Sequence, residues 1–348
     1  MKRKIYCHFT IIILVLVLFS TIFSGCEIKN KKPIVKSNFI LGTTVDIILY
    51  DSKDDKVIDD VFDRLREIEE KMTINTEGPS EIIKLNEASG LHDVKLSPDT
   101  FFVLEKGLYY SKLSEGRFDI TIGPLVKLWN IGTEYAAVPE PSELVNTMQL
   151  IDYKKLHLNK KEYSARLDVK GMKVDLGAIA KGYAADEAAN VLKEKGIESA
   201  IINLGGNILT IGKNPNGEPF KIGVQDPFDH RGDYLGILSI EDKTVVTSGI
   251  YEKFFENNGK QYHHILDLET GFPAENELAG VSIITDISID GDGLSTMVFL
   301  FGLEKGLEFV NDEPDVEAVF ITKSKKIYLS KGIKDNFILT NKGYHVVN

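Results

Sequence analysis

The chain has 348 residues with 41 lysines and arginines against 52 aspartates and glutamates, so its formal net charge is −11. An acidic balance of this size disfavours nucleic acid as a partner. Both cysteines, Cys7 and Cys26, lie within the first 26 residues. The rest of the chain therefore has no thiol for a disulfide, a thiolate nucleophile or a zinc–thiolate site, and a hydrophobic core must hold its fold together.

Residues 1–25 have the pattern of a bacterial lipoprotein signal. Three basic residues precede an apolar run over residues 5–23, which ends in the sequence FSGC. Small residues before a cysteine predict cleavage before Cys26 and attachment of lipid to it. An uncleaved membrane anchor is the alternative, and both interpretations export the remaining chain to a membrane surface. Residues 26–37, rich in lysine and asparagine, are predicted to be a tether.

Residues 38–348 are predicted to form one large α+β domain of two intimate subdomains, with mixed sheets and flanking helices, because helices and strands do not alternate regularly. Periodicity and turn residues predict the following elements: a strand over 39–49, helices over 57–72 and 99–113, strands at 156–158, 164–169 and 200–204, a helix ending near 195, short strands between 208 and 289, a helix over 294–301, and strands at 316–322, 327–329 and 337–339.

Residues 174–186, VDLGAIAKGYAAD, are the most informative segment. A short strand is expected to end at Asp175, and a helix follows with Lys181 in its first turns. Free N–H groups and the positive end of the helix dipole suit a helix N-terminus to phosphate. The alternative is an ordinary strand-to-helix corner in which Gly177 permits a tight turn.

The sequence DGDGLST at 290–296 places a carboxylate, Asp292, and a hydroxyl, Thr296, four residues apart where a helix is predicted to begin. Both side chains fall on one face and are hard oxygen donors. Magnesium takes one or two carboxylates together with waters and substrate phosphates, so the pair is a candidate magnesium site. Capping of the helix by Asp292 is the alternative.

Two adjacent histidines, His263 and His264, occur in the sequence YHHILDLETGFP at 262–273. A histidine can act as a general base or bind a metal. Because successive side chains of a strand point to opposite faces, the pair is not expected to bind one ion together. A structural role is the alternative for either histidine.

In this order and over this span, the segments resemble the ApbE-type flavin transferase family, the FAD:protein FMN transferases. The matching motifs are GRFDITIGPL at 116–125, residues 174–186, NLGGN at 203–207, TSG at 247–249, HILD at 264–267 with Thr270 and Gly271, and DGLST at 292–296. The resemblance covers nearly all of the chain beyond the tether and implies that family's T-fold-like architecture. Family members are commonly exported lipoproteins, in agreement with Cys26.

The resemblance implies a specific reaction. FAD is cleaved at its pyrophosphate, FMN is joined by a phosphoester bond to a Thr or Ser hydroxyl of a target protein, and AMP is released. It implies a Mg²⁺ cofactor held by Asp292, Thr296 and an oxygen of Ala178, expected to be its backbone carbonyl. Ser295 would be a weaker fourth donor, since some members have an acid at this position.

The resemblance also implies a flavin-binding set: Leu41, Thr76, Arg117, Phe118, Asp119, Asp175, Lys181 and Ile265. Leu41 replaces a frequent methionine, which conserves volume, and Thr76 stands where an aromatic residue or Asn is common. We interpret His264 as the general base for the target hydroxyl, oriented by Asp267.

Other functions stay open on the sequence alone. An FAD pyrophosphatase would use water in place of the target hydroxyl, and a flavin-binding lipoprotein without turnover or a purely structural surface protein would need no reaction. The resemblance implies two partners, FAD and a redox-complex subunit with an acceptor Thr or Ser, and the lipid would hold the chain at the outer face of the cytoplasmic membrane.

Overall fold

A nine-stranded sheet forms the centre of the computed structural model, which describes residues 32–52, 54–75 and 78–348. The predicted signal, Cys26 and Thr76 lie outside the described residues. Pro33–Asn348 form one compact unit. None of the helices in the described part of the chain has both the length and the apolar character of a membrane span.

The strands pair into one large and three small sheets. They are β1 (Ile34–Ile40), β2 (Thr43–Leu49), β3 (Val94–Lys95), β4 (Leu156–Asn159), β5 (Ser164–Leu167), β6 (Ala200–Leu204), β7 (Asn207–Ile211), β8 (Phe220–Gln225), β9 (Tyr234–Ile240), β10 (Thr244–Gly249), β11 (Phe254–Asn257), β12 (Lys260–His263), β13 (Leu278–Thr285), β14 (Glu317–Thr322), β15 (Lys326–Leu329), β16 (Phe337–Leu339) and β17 (His345–Val346). The large sheet has the order β1-β2-β6-β7-β10-β13-β14-β15-β17, and the others have the orders β16-β9-β8, β3-β5-β4 and β11-β12. Among the described strands of the large sheet, only the β15–β17 pair is parallel.

Helices cover one face of the large sheet, and the β16-β9-β8 sheet covers part of the other. The described helices are α1 (Lys56–Met72), α2 (Glu81–Glu87), α3 (Pro98–Leu113), α4 (Gly123–Trp129), α5 (Pro141–Met148), α6 (Ala180–Glu194) and α7 (Ser288–Asp312). Alternation along β13 divides the two cores, since Ile283 packs on the helical side and Ile284 under β8 and β9. The layered arrangement confirms the predicted α+β class.

Several predicted boundaries were wrong. The strand predicted over 39–49 is divided by a turn at residues 41–42 into β1 and β2. Strand β1 begins at Ile34, inside the predicted tether, because its residues pair along the whole length of β2. Only an isolated bridge at Lys173 stands where a strand was expected before Asp175. Helix α7 begins six residues before the predicted start and passes through a non-helical Gly302.

The early start of α7 has a packing cause. The helix was predicted to begin after its glycines, but they lie inside it and allow close contact there. A Cβ at Gly291 would lie 2.9 Å from Val246, and one at Gly293 would lie 2.6 Å from the ring of Tyr110. These glycines lower the helix propensity of the segment, but they allow a neighbouring element to pack closely against the helix.

Candidate active site

The first turns of α6 and α7 cap each other. The Asp186 carboxylate of α6 accepts hydrogen bonds from the backbone N–H groups of Ser288 and Ile289, each at 2.8 Å. In return, Oδ2 of Asp292 on α7 accepts from the N–H of Gly182 at 2.8 Å. Gly182 makes this approach possible, because a Cβ there would lie 2.4 Å from the Ser288 carbonyl oxygen. Capping of its own helix by Asp292 was therefore the wrong alternative.

Asp292 is a buried carboxylate beside a cation. Only 5 % of its surface is exposed. Burial raises its pKa, whereas the charge of Lys181 and the N–H groups at the start of α6 oppose that rise. The structure thus brings the two charged residues predicted from separate motifs into one place.

Hydroxyl groups surround the next turn of α7. Ser248, at the end of β10, has its Oγ 2.8 Å from Ser295 Oγ and 3.3 Å from Thr296 Oγ1. Ser295 also donates to the Asp292 carbonyl oxygen at 2.9 Å. Ser248 belongs to the TSG motif but was not predicted as a site residue. The fold explains its place, since β10 runs against α7.

These donors fit a magnesium ion. One carboxylate and several hydroxyls are all hard oxygen groups, and magnesium is bound by few protein carboxylates because it keeps waters and takes substrate phosphates. The predicted donor Ala178 is half-buried in the turn that precedes α6. The site would hold the ion through Asp292 and Thr296, with Ser295 and Ala178 beside them.

His264 is held in one tautomer by the backbone. The backbone N–H of His264 donates to the Lys253 carbonyl oxygen at 3.1 Å, and the ring Nδ1 lies 3.2 Å from the same oxygen. A carbonyl only accepts, so Nδ1 carries the proton and Nε2 keeps its lone pair. Burial, followed by the charge of Lys253, lowers the pKa of His264 to about 3. The ring is therefore neutral near pH 7 and can accept a proton.

Asp267 does not orient His264, and that prediction was wrong. Its carboxylate accepts from the N–H of Glu269 at 2.9 Å and stabilises the turn that follows. Glu269 in turn forms an ion pair with Arg117 at 3.2 Å, which places Arg117 at the same turn. The orienting group is instead the carbonyl of Lys253.

The hairpin of β11 and β12 brings Lys253 to His264. Phe254 pairs with His263 in this hairpin. Lys253 and His264, each one residue further from the turn, therefore face each other. The turn at Asn258 and Gly259 has φ values of 51° and 75°, as a two-residue hairpin turn requires. Lys253 was not predicted as a site residue, although counting outward from this Asn-Gly pair identifies it.

The charges of two lysines act on His264. The charges of Lys253 and Lys181 both lower its pKa. Lys253 also lowers the pKa of Asp175, which burial raises. Oδ1 of Asp175 accepts from the N–H of Gly177 at 2.7 Å, which holds the carboxylate at the turn before α6. The predicted residues Asp175, Lys181, His264 and Asp292 thus share one electrostatic neighbourhood.

The side chains of three other predicted residues are buried inside the protein. Phe118 packs against Tyr110, and Ile265 is 4 % exposed. Asp119 accepts from the Thr121 N–H at 2.7 Å through Oδ1 and from the Tyr153 N–H at 2.8 Å through Oδ2. Burial raises the pKa of Asp119 despite these bonds.

Leu41 occupies the turn between β1 and β2. Its φ is 56°, a left-handed conformation that is unfavourable for a leucine. Its N–H donates to Oε1 of Glu69 on α1 at 2.8 Å, which holds the turn over that helix. Its side chain is partly buried and packs against the large hydrophobic core. Leu41 is therefore fixed by α1 and by the core.

Comparison with known proteins identifies the family of this chain. The ApbE family model matches residues 41–320. An FAD:protein FMN transferase of Klebsiella pneumoniae is 36 % identical over 312 residues, covering 90 % of this chain and 96 % of that protein. One of Treponema pallidum is 33 % identical over 317 residues, covering 86 % and 87 %.

Solved structures show the same fold. The ApbE protein of Thermotoga maritima superposes with a TM-score of 0.80 at 29 % identity, covering 88 % of this chain and 99 % of that one. The flavin transferase ApbE from Vibrio cholerae has a TM-score of 0.78 at 27 % identity, with coverage of 88 % and 99 %. The chain therefore belongs to the ApbE family.

Proposed function

We propose that the protein is an FAD:protein FMN transferase that requires magnesium. The observation that carries this proposal is the setting of His264. A neutral histidine with a free Nε2 stands near Lys181, and Lys181 stands beside the buried carboxylate of Asp292. In a member of the ApbE family, this arrangement supplies a general base for an acceptor hydroxyl, and it places that base beside charged groups that can act on a pyrophosphate.

The transfer forms one bond and breaks one. The hydroxyl oxygen of an acceptor Thr or Ser bonds to the FMN phosphorus, and the pyrophosphate bond to AMP breaks, so that AMP leaves with the electron pair. The hydroxyl proton passes to Nε2 of His264, which carries the lone pair because the hydrogen bond to the Lys253 carbonyl holds the ring proton on Nδ1. The chain thereby positions the acceptor and accepts its proton.

Magnesium, when bound, neutralises pyrophosphate oxygens and stabilises the charge on departing AMP. Asp292, Thr296, Ser295 and the backbone oxygen of Ala178 would hold it. Lys181 adds a positive charge, and the N–H groups of the turn into α6 favour an anion. The hydroxyl of Ser248 supports the positions of Ser295 and Thr296 through its contacts with both.

We also propose a location for the reaction. Cleavage of residues 1–25 and lipid on Cys26 would anchor the protein to the outer face of the cytoplasmic membrane, with a tether up to Pro33. The support is the basic, apolar and FSGC pattern of the leader. The acceptor would be a redox-complex subunit that exposes a Thr or Ser at that face.

The test uses the full-length protein in detergent with FAD, Mg²⁺ and a candidate redox subunit. We expect a fluorescent, covalently modified subunit, an equal amount of AMP, and loss of both products when EDTA removes the metal. Mass spectrometry should find FMN on a Thr or Ser. Release of FMN and AMP at the same rate without an acceptor would instead identify a pyrophosphatase, and absence of any product would contradict catalysis.

A further inference from the structure

The hydroxyl of Ser248 lies between two hydroxyls of α7. Its Oγ is 2.8 Å from Ser295 Oγ and 3.3 Å from Thr296 Oγ1. Ser295 Oγ is in turn 2.9 Å from the backbone carbonyl oxygen of Asp292. These oxygen atoms form one connected chain, which begins at Thr296 and ends at the residue that supplies the candidate metal carboxylate.

The carbonyl at the Asp292 end sets the direction of every hydrogen bond in this chain. A carbonyl oxygen only accepts, so Ser295 uses its single hydroxyl proton on Asp292. Ser248 therefore donates to Ser295, and the oxygen of Ser248 accepts the proton of Thr296. Within the described part of the chain the Thr296 hydroxyl has no other hydrogen-bond partner, so both of its lone pairs stay available to a ligand.

Strand register fixes the position of Ser248. On β10, Ser248 pairs with Val281 and Thr247 pairs with Ser282 of the neighbouring strand β13. Successive side chains of a strand point to opposite faces, so Ser248 contacts α7 whereas Thr247 does not. The Thr247 hydroxyl instead lies 2.7 Å from the Ser282 hydroxyl. The chain of hydroxyls is thus attached to the sheet as well as to the helix.

We propose that Ser248 is a positioning residue for the metal ligand Thr296. It accepts the Thr296 hydroxyl proton, and a lone pair of Thr296 Oγ1 is thereby turned to the magnesium ion. This rests on the proposed function. A cation is bound by lone pairs and repels a hydroxyl proton, so a hydroxyl ligand needs an acceptor on its other side. Ser248 supplies that acceptor, and Ser295 holds Ser248 in place.

The test is Mn²⁺ binding to the full-length protein in detergent, measured from the electron paramagnetic resonance signal of the free ion. Ser248→Ala should weaken Mn²⁺ binding about tenfold to a hundredfold, the range typical for loss of a group that orients a metal ligand. Ser248→Thr keeps the hydroxyl and should bind Mn²⁺ nearly as the parent does. In a protein that already carries Thr296→Val, Ser248→Ala should cause no further loss, because Ser248 acts through Thr296.

Thr247→Val is the matched control. It removes a hydroxyl contact from the same strand on the opposite face, and it should leave Mn²⁺ affinity unchanged. Thermal unfolding of each variant checks that it is folded. Parent-like Mn²⁺ affinity in Ser248→Ala, or an equal loss from Ser248→Ala with and without the Thr296 hydroxyl, would overturn the proposal.

The same variants separate this proposal from the proposed function. If Mn²⁺ affinity depends on Ser248 as expected but no FMN reaches any acceptor, the positioning role stands and the transferase function fails. If FMN transfer proceeds and neither its magnesium dependence nor Mn²⁺ affinity changes in Ser248→Ala, the transferase function stands and the positioning role fails. Absence of saturable Mn²⁺ binding in the parent would overturn the positioning role together with the metal requirement.

Discussion

Asp186 and Asp292 make similar contacts at the junction of α6 and α7 but have different surroundings. Each carboxylate accepts backbone N–H groups at the start of the other helix. Burial raises the pKa of Asp186 to about 6, and the like charges of Asp290 and Glu187 add to that rise. Burial also raises the pKa of Asp292, but the cation of Lys181 opposes it.

The difference shows that capping geometry does not by itself define a functional carboxylate. Both oxygens of Asp186 are bound to α7, so this residue is committed to structure. Asp292 binds Gly182 through Oδ2 and lies on the same helical face as Thr296. A neighbouring cation and neighbouring hydroxyls give Asp292 the surroundings expected of the proposed metal ligand, which Asp186 lacks.

The largest expected effect comes from breaking both caps together. In Gly182→Ala, the new Cβ would lie 2.4 Å from the Ser288 carbonyl oxygen and 2.7 Å from Cβ of Asp292, so the helices must separate. Overpacking of this kind costs about 1–3 kcal/mol or more. We expect a lower melting temperature and loss of FMN transfer in the same variant. Parent-like values for both would show that the junction is not as close as described.

Asp292→Asn should lower the transfer rate while keeping the hydrogen bond that caps α6. The amide oxygen still accepts from Gly182, but the charge proposed to hold the metal is lost, and transfer should fall at least about a hundredfold. The melting temperature should stay within a few degrees of the parent. Transfer rate and thermal unfolding measured on one preparation check both statements.

Asp290→Asn is the matched control for that variant. Asp290 lies in the same turn but binds Lys106 at 2.6 Å and the Tyr110 hydroxyl at 2.7 Å, away from the proposed ligands. Its transfer rate should fall less than about tenfold, as expected for a change that touches structure only. An equal loss in both variants would remove the special role of Asp292.

Asp186→Ala should have the converse effect. Two N–H groups at the start of α7 lose their acceptor, which should lower the free energy of unfolding by about 2 kcal/mol. The transfer rate per folded molecule should remain near that of the parent. Urea unfolding and active-site titration with FAD measure the two quantities. A stable but inactive variant would reverse the assignment of the two aspartates.

A pH dependence of stability is also expected. The pKa of Asp186 is raised to about 6 in the folded protein from 3.8, so the folded state binds this proton more tightly than the unfolded state. The contribution of Asp186 to stability therefore falls as pH rises from about 4 to about 6. Compared with Asp186→Asn, the parent should become relatively less stable over that interval. A pH-independent difference in urea midpoint between the two proteins would contradict the shift.

Local patterns predicted much of the molecule. Helix α1 was predicted to begin one residue later than it does, and α3 was also predicted within one residue. Their periodic apolar residues and the Ser-Pro start of α3 are local signals. Helices α2, α4 and α5 were not predicted, because each has only seven or eight residues. Short helices depend on packing more than on their own sequence.

By itself the sequence determined the family resemblance and the identity of Lys181, His264, Asp292 and Thr296 as candidates, because motif residues keep their order and spacing along the chain. Only the tertiary structure decided that Asp292 caps α6, that Lys253 rather than Asp267 orients His264, and that Ser248 joins the hydroxyls. These relations connect residues far apart in the chain. They depend on strand register and on the close approach of two helices at Gly182, which no local pattern specifies.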